Sequence, residues 1–106
     1  MAKEVDTKGY IKLYRKSQKT EVFKNPYAWQ LFTYCLFNAK FTGSDKEVGT
    51  FITTQDTIKN DLGWSRPSVI KFMKFLKETK CIDYTTSNKN TIIKIINFKK
   101  YQGTLM

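Results

Sequence analysis

A single glycine, Gly63, divides the run TTQDTIKNDLGWSRPSVIKFMKFLKETK (53–80) into two amphipathic halves, and no other feature limits the fold of this chain as much. Before it, Ile58 and Leu62 stand four apart on one face of a short helix that Thr53 or Thr54 can cap. Gly63 ends that helix, because glycine takes the left-handed C-terminal conformation without steric cost. Ser65 caps a second helix two residues later, with Pro67 in a first turn where a missing N–H does no harm. Val69, Phe72, Met73 and Leu76 fall at the spacing of a buried stripe. Arg66, Ser68, Ile70, Lys71 and Lys74 are left facing outward. The layout is that of a helix-turn-helix, with a small, polar and basic face where the second helix would meet a major groove.

The flanks extend the motif. After it come the β-branched runs Cys81–Thr86 and Thr91–Ile96, separated by Ser87-Asn88-Lys89-Asn90, a hairpin with turn chemistry at its tip. Before it, Gly49–Thr53 reads as a short strand and Gly43–Glu47 as a loop. Asn25-Pro26 opens a helix expected to run to about Phe41, with stripes Ala28/Leu31/Phe32/Cys35/Ala39, Tyr27/Tyr34/Phe37 and Trp29/Leu36. A helix apolar almost all round is central or in contact with another subunit. The simpler expectation is that residues 10–23 cover its second face; a homodimer through helix 26–41 is the alternative. Within 10–23, Ile11, Tyr14, Arg15 and Gln18 fit one helical face and a helix over Lys12–Thr20 is expected, although Ile11 and Leu13 alternate as a short strand would. Residues 1–9 are polar and read as a flexible arm. The expected architecture is α+β: one domain over 10–103, a winged helix-turn-helix with a three-helix core, a C-terminal β-hairpin wing and an additional N-terminal segment.

Charge points to the partner. The 106 residues carry a formal +10, distributed as +4 over residues 1–25, −1 over 26–65 and +7 over 66–106. The step at the start of the second helix favours a polyanion on one side of the molecule, double-stranded DNA above all; a merely solvated basic face is the plain alternative. On the DNA reading, Arg66 and Lys71 reach phosphates or guanine edges and Ser68 bonds a base or phosphate. Lys74 and Lys77 extend the phosphate contact, and Asn88 and Lys89 at the wing tip touch the backbone beside the groove. Ile70 either meets a thymine methyl or packs under the hairpin, and Trp64 either joins the core or makes an exposed contact. Lys12, Arg15, Lys16 and Lys19 form a second basic patch for a longer duplex or a neighbouring segment.

Other chemistry finds little to work with. There is no histidine, the five glycines are isolated, and the carboxylates form no tight cluster in sequence, so no catalytic residue, metal or cofactor is expected. Cys35 and Cys81 lie far apart among apolar neighbours and read as two reduced, buried thiols. No apolar run approaches ~18 residues and no leader is recognisable, so the expectation is a cytoplasmic, nucleoid-associated protein with no membrane partner.

Three segments, GYIKLYRK (9–16), GTFITTQDTIKNDLGWSRPSVIKFMKFL (49–76) and NTIIKIINFKKYQG (90–103), resemble the N-terminal winged-helix domain of phage replisome organisers, the DnaD-related replication initiators of Gram-positive bacteria and their phages. The resemblance spans about Gly9 to Gly103; the outer segments make it more specific than the generic central one. It implies origin-DNA binding in replication initiation, with self-association in some members. Family members are generally longer, with a C-terminal region that contacts single-stranded DNA or recruits the helicase-loading machinery. This sequence ends after the winged helix, as a domain of a larger protein or a stand-alone module would, and helicase recruitment is not carried over. The competing expectations are a small transcriptional regulator, an interaction or oligomerisation module, and a small phage effector bound to a replication or host protein.

Overall fold

The computed structural model describes residues 10–102; the arm expected over 1–9 and position 103 lie outside them. In chain order, an irregular segment (10–14) and a 3-10 helix (Arg15–Lys19) lead to α1 (Glu21–Lys24), α2 (Pro26–Asn38), β1 (Thr50–Thr53), α3 (Gln55–Leu62), α4 (Arg66–Glu78), β2 (Ile82–Thr86), β3 (Thr91–Ile95) and α5 (Phe98–Gln102). The class is α+β, with a three-stranded antiparallel sheet in the order β1-β3-β2, an arrangement compatible with a winged helix. No helix among the described residues is long and apolar enough to cross a membrane.

Local chemistry sets the helix starts. Asn25 Oδ1 accepts from the N–H groups of Tyr27 and Ala28 at 3.1 and 3.2 Å, with Pro26 opening α2. Thr54, not Thr53, caps α3, its hydroxyl accepting from the Thr57 N–H at 3.0 Å. Gly63 closes α3 at φ 71° and ψ 31°, and Ser65 caps α4. At the far end of α4, Lys80 adopts φ 63°, which lets the Cys81 N–H reach the Leu76 carbonyl at 2.9 Å and turns the chain into β2.

The core lies where α2, α3 and α4 meet the inner face of the sheet. Leu31, Cys35, Ile58, Val69, Met73, Leu76, Ile82 and Ile93 are completely buried. β3 shows the period of two expected of a strand with one covered face: Thr91, Ile93 and Ile95 point in, Ile92 and Lys94 out. Its register sets Ile93 between Phe51 of β1 and Tyr84 of β2. Burial pushes the Cys35 thiol up to about 12. Cys81 is half-buried rather than buried, and both cysteines are free.

Three expectations need correction. In place of the helix expected over Lys12–Thr20, residues 10–14 carry no regular secondary structure, with Tyr14 in an extended conformation, and a 3-10 helix follows over Arg15–Lys19 before the four-residue α1. The reason is long-range: the Lys12 backbone N–H donates to Gln102 Oε1 and its carbonyl accepts from Gln102 Nε2, both at 2.8 Å. The Tyr14 hydroxyl donates to the Tyr101 carbonyl at 2.7 Å, which straps the segment to α5. Secondly, α2 stops at Asn38, short of Phe41, because the Lys40 backbone pairs with Thr50 (3.0 Å) and Gly49 (2.8 Å) at the edge of the sheet. Thirdly, residues 10–23 cover the Trp29/Leu36 face of α2, where Phe23 meets Trp29 edge-on at 5.2 Å. The Tyr27/Tyr34/Phe37 face is only partly covered, and from elsewhere: Tyr34 meets Phe51 edge-on and Tyr27 stacks on Phe72, while Tyr27 and Phe37 remain exposed.

Candidate nucleic-acid interface

The first requirement of such an interface is a helix held rigidly with one face free. Val69, Met73 and Leu76 bury the inner side of α4 completely, while Phe72 is half-buried. Beside it, Trp64 packs edge-on against Tyr27 at 5.7 Å and Phe72 at 5.6 Å, so the turn tryptophan joins a half-buried aromatic group rather than the deep core. α3 is tied to α2 by the Tyr34 hydroxyl, which donates to Asp61 at 2.7 Å; burial and then this carboxylate push the phenol well above its ordinary range. The helix pair is therefore anchored from two sides.

On the outer side of α4, Arg66, Ile70, Lys71 and Lys74 are exposed. Ile70 is 45% exposed and so does not pack under the hairpin. Lys71 lies 5.3 Å from the centre of the Phe72 ring, and neither Lys71 nor Lys74 has a carboxylate partner among the described residues. Ser68 is half-buried: its hydroxyl accepts from the Ser65 hydroxyl at 3.1 Å and keeps its own proton free to donate. Lys77 turns away from this face toward the sheet, pairing with Asp83 at 3.5 Å and covering the Tyr84 ring at 4.9 Å.

The β2–β3 tip is built by Ser87. Its backbone N–H donates to the Asn90 carbonyl at 2.8 Å, and its hydroxyl accepts from the N–H groups of Lys89 (3.4 Å) and Asn90 (3.2 Å). Asn88, Lys89 and Asn90 are consequently presented outward at the tip. Between this tip and the start of the helix pair runs a groove of about 350 Å³, lined by Thr54, Gln55, Asp56 and Arg66 on one wall and residues 86–91 on the other. The fold thus gathers Arg66, Asn88 and Lys89 around one groove, with Lys71 and Lys74 continuing along α4.

Sequence reasoning passed over Asp56. Its carboxylate is ion-paired with the Arg66 guanidinium, from the first turn of α3 to the first residue of α4. Both side chains stay at least half exposed, and an exposed pair of this kind contributes only about 0.2–1 kcal/mol. A phosphate can therefore displace the carboxylate. Thr54 and Gln55, on the same wall, were also not anticipated; their only signal was their place at the start of the helix preceding the turn.

The second basic patch is a separate feature. Lys12, Lys16 and Lys19 line a cavity against α2 and α5 that shares no residue with the groove, whereas Arg15 lies outside that lining. Among the described residues, no three His, Cys, Asp or Glu side chains come together in a metal-binding group.

No protein-family model, no curated protein and no solved structure matches this chain.

Proposed function

We propose that this chain is a winged-helix module that binds double-stranded DNA. In this reading α4 lies in the major groove as the recognition helix, and the β2–β3 hairpin is the wing that follows the adjacent sugar-phosphate backbone. The observation that carries it is the shared groove: Arg66 at the start of α4 faces Asn88 and Lys89 at the hairpin tip. A backbone lying there would meet positive charge from both walls, and would continue onto Lys71 and Lys74, which have no carboxylate partners among the described residues. Ile70, exposed on the same helix, would meet a thymine methyl in this reading.

The resemblance of segments 9–16, 49–76 and 90–103 to replisome organisers supports the biological role: origin binding in DNA replication initiation, in a phage or mobile element acting in the bacterial cytoplasm. A transcriptional regulator would use the same surface, and preference for an origin fragment over a promoter fragment separates the two. The alternative reading, self-association through helix 26–41, would rest on its exposed rings Tyr27 and Phe37, since Trp29, Phe32 and Tyr34 are partly buried in aromatic contacts within the chain.

The experiment is duplex binding by the Arg66→Ala/Lys71→Ala variant, with circular dichroism to show that the fold is kept. Neither side chain belongs to the core, so the fold should survive. Affinity should fall by roughly tenfold or more, and the salt slope by about one unit per lost phosphate contact. Unchanged affinity would remove α4 from the interface.

A further inference from the structure

Away from the groove, the segment Ile11–Lys19 does not close fully onto the helix behind it. It leaves a cavity of about 440 Å³ between itself, α2, β3 and α5, within the roughly 300–1,000 Å³ typical of small-molecule sites. The walls are mainly apolar: Leu13, Val22, Trp29, Phe32, Leu36 and Phe98. Lys12, Lys16, Lys19 and Lys80 stand around it, and no aspartate or glutamate lines it. None of these four ammonium groups has a carboxylate partner among the described residues.

We propose that this cavity binds a free amphipathic carboxylate, a fatty acid whose chain lies among the apolar walls and whose head group is held by the lysine rim. Two features define the ligand. A hydrocarbon chain laid against these apolar walls gains dispersion contacts and removes apolar surface from water. Two polar side chains of the lining are already committed: the Gln102 amide in both directions to the Lys12 backbone, and the Thr20 hydroxyl, which donates to the Ser17 carbonyl at 2.7 Å while accepting from the Phe23 N–H at 3.1 Å; the polar groups of Ser17, Asn97 and Tyr101 are solvent-accessible parts of the lining. No buried side-chain polar atom among the described residues lacks a partner. A nucleotide or sugar would find little to bond inside, whereas a hydrocarbon body needs only surface. The charge of the ligand is set by the lining, which holds four lysines without a carboxylate partner among the described residues and no acidic side chain to oppose a carboxylate head group.

The site does not depend on DNA binding, and it carries its own reporter. Trp29 lines the wall, and the only other tryptophan is Trp64, outside the lining. In a Trp64→Phe variant of the full chain, emission is followed during titration with dodecanoate kept below its micelle concentration. The expected result is a saturable change in Trp29 emission, absent with dodecylamine, which has the same chain and the opposite charge. Leu13 is 52% exposed, so Leu13→Glu should leave the fold intact, as checked by circular dichroism, while placing a carboxylate in the cavity wall. It should weaken dodecanoate binding by about tenfold or more, and Lys16→Glu with Lys19→Glu should do the same from the rim. Equal responses to dodecanoate and dodecylamine, or an undiminished response in Leu13→Glu, would overturn the proposal. A response to phosphatidylglycerol vesicles without one to monomeric dodecanoate would also overturn it, assigning the surface to a membrane instead.

Discussion

Gly49 and Gly63 both hold positive φ, at 82° and 71°, yet alanine should be far worse at the first than at the second. At Gly63, in the turn between α3 and α4, an added Cβ would meet nothing within 4 Å. Gly63→Ala should therefore cost only the left-handed backbone penalty, about 1–2 kcal/mol. At Gly49 the same Cβ would fall 2.7 Å from Phe98 Cβ and 2.9 Å from Cγ, well inside the ~3.5–4.0 Å at which carbon atoms pack. Phe98 has no room to retreat, being 5% exposed and seated edge-on against Phe41 at 4.9 Å. The backbone cannot yield either. The Gly49 N–H donates to Lys40 and its carbonyl accepts from Ile95, both at 2.8 Å, and together they join the α2–β1 loop to β3. Overpacking of this kind adds about 1–3 kcal/mol, which brings Gly49→Ala to about 2–5 kcal/mol. Urea unfolding followed by circular dichroism should show both midpoints lowered at unchanged slope, Gly49→Ala by clearly more. In thermal unfolding a difference of ~1 kcal/mol between them corresponds to roughly 4–8 °C. Equal destabilisation would refute the packing of α5 on the loop before β1.

Two other perturbations probe the charge and the core. Asp56→Asn removes the carboxylate paired with Arg66; it should raise random-duplex affinity about two- to fivefold at low salt and steepen the salt slope by up to about one unit, measured by anisotropy, while weaker binding would mean Asp56 helps orient Arg66. Cys35 gives a pH signature. Its thiol is raised from 9.0 to about 12 in the folded chain, so between those values the folded form holds a proton that the unfolded form has lost. Stability from this group is complete below pH 9 and falls above it, by at most about 1.4 kcal/mol per pH unit. Urea midpoints from pH 8 to 10, below the range in which the raised Tyr34 phenol adds its own decline, should show the fall and Cys35→Ala should reduce it; an identical profile in the variant would exclude the thiol as its source.

What was legible in the sequence was local. Asn25-Pro26, Thr54, Gly63 and Ser65 announce their caps because each bonds to, or frees, backbone groups within three residues. The hairpin was readable for the same reason, since Ser87 and Asn90 close it on themselves. What was hidden depends on partners far along the chain. Gln102 lies ninety positions from Lys12, and its two bonds to the Lys12 backbone hold residues 11–14 out of the helix that local periodicity favoured. Lys40 ends α2 by pairing with Gly49 and Thr50 rather than through its own helix propensity. At the candidate interface the cations were readable by type and spacing, but not their company. Asp56 beside Arg66, and Asp83 drawing Lys77 away from the outer face, appear only once α3, α4 and the sheet are placed together.

The central claim is that the α4 face and the hairpin tip hold a DNA backbone. It is tested most directly by titrating a fluorescently labelled random-sequence duplex with the protein at a series of salt concentrations and reading anisotropy. If Arg66, Lys71, Lys74 and Lys89 each neutralise a phosphate, log affinity should fall linearly with log salt at a slope of roughly −4. No binding at the lowest salt, or an affinity that salt leaves unchanged, would contradict the account.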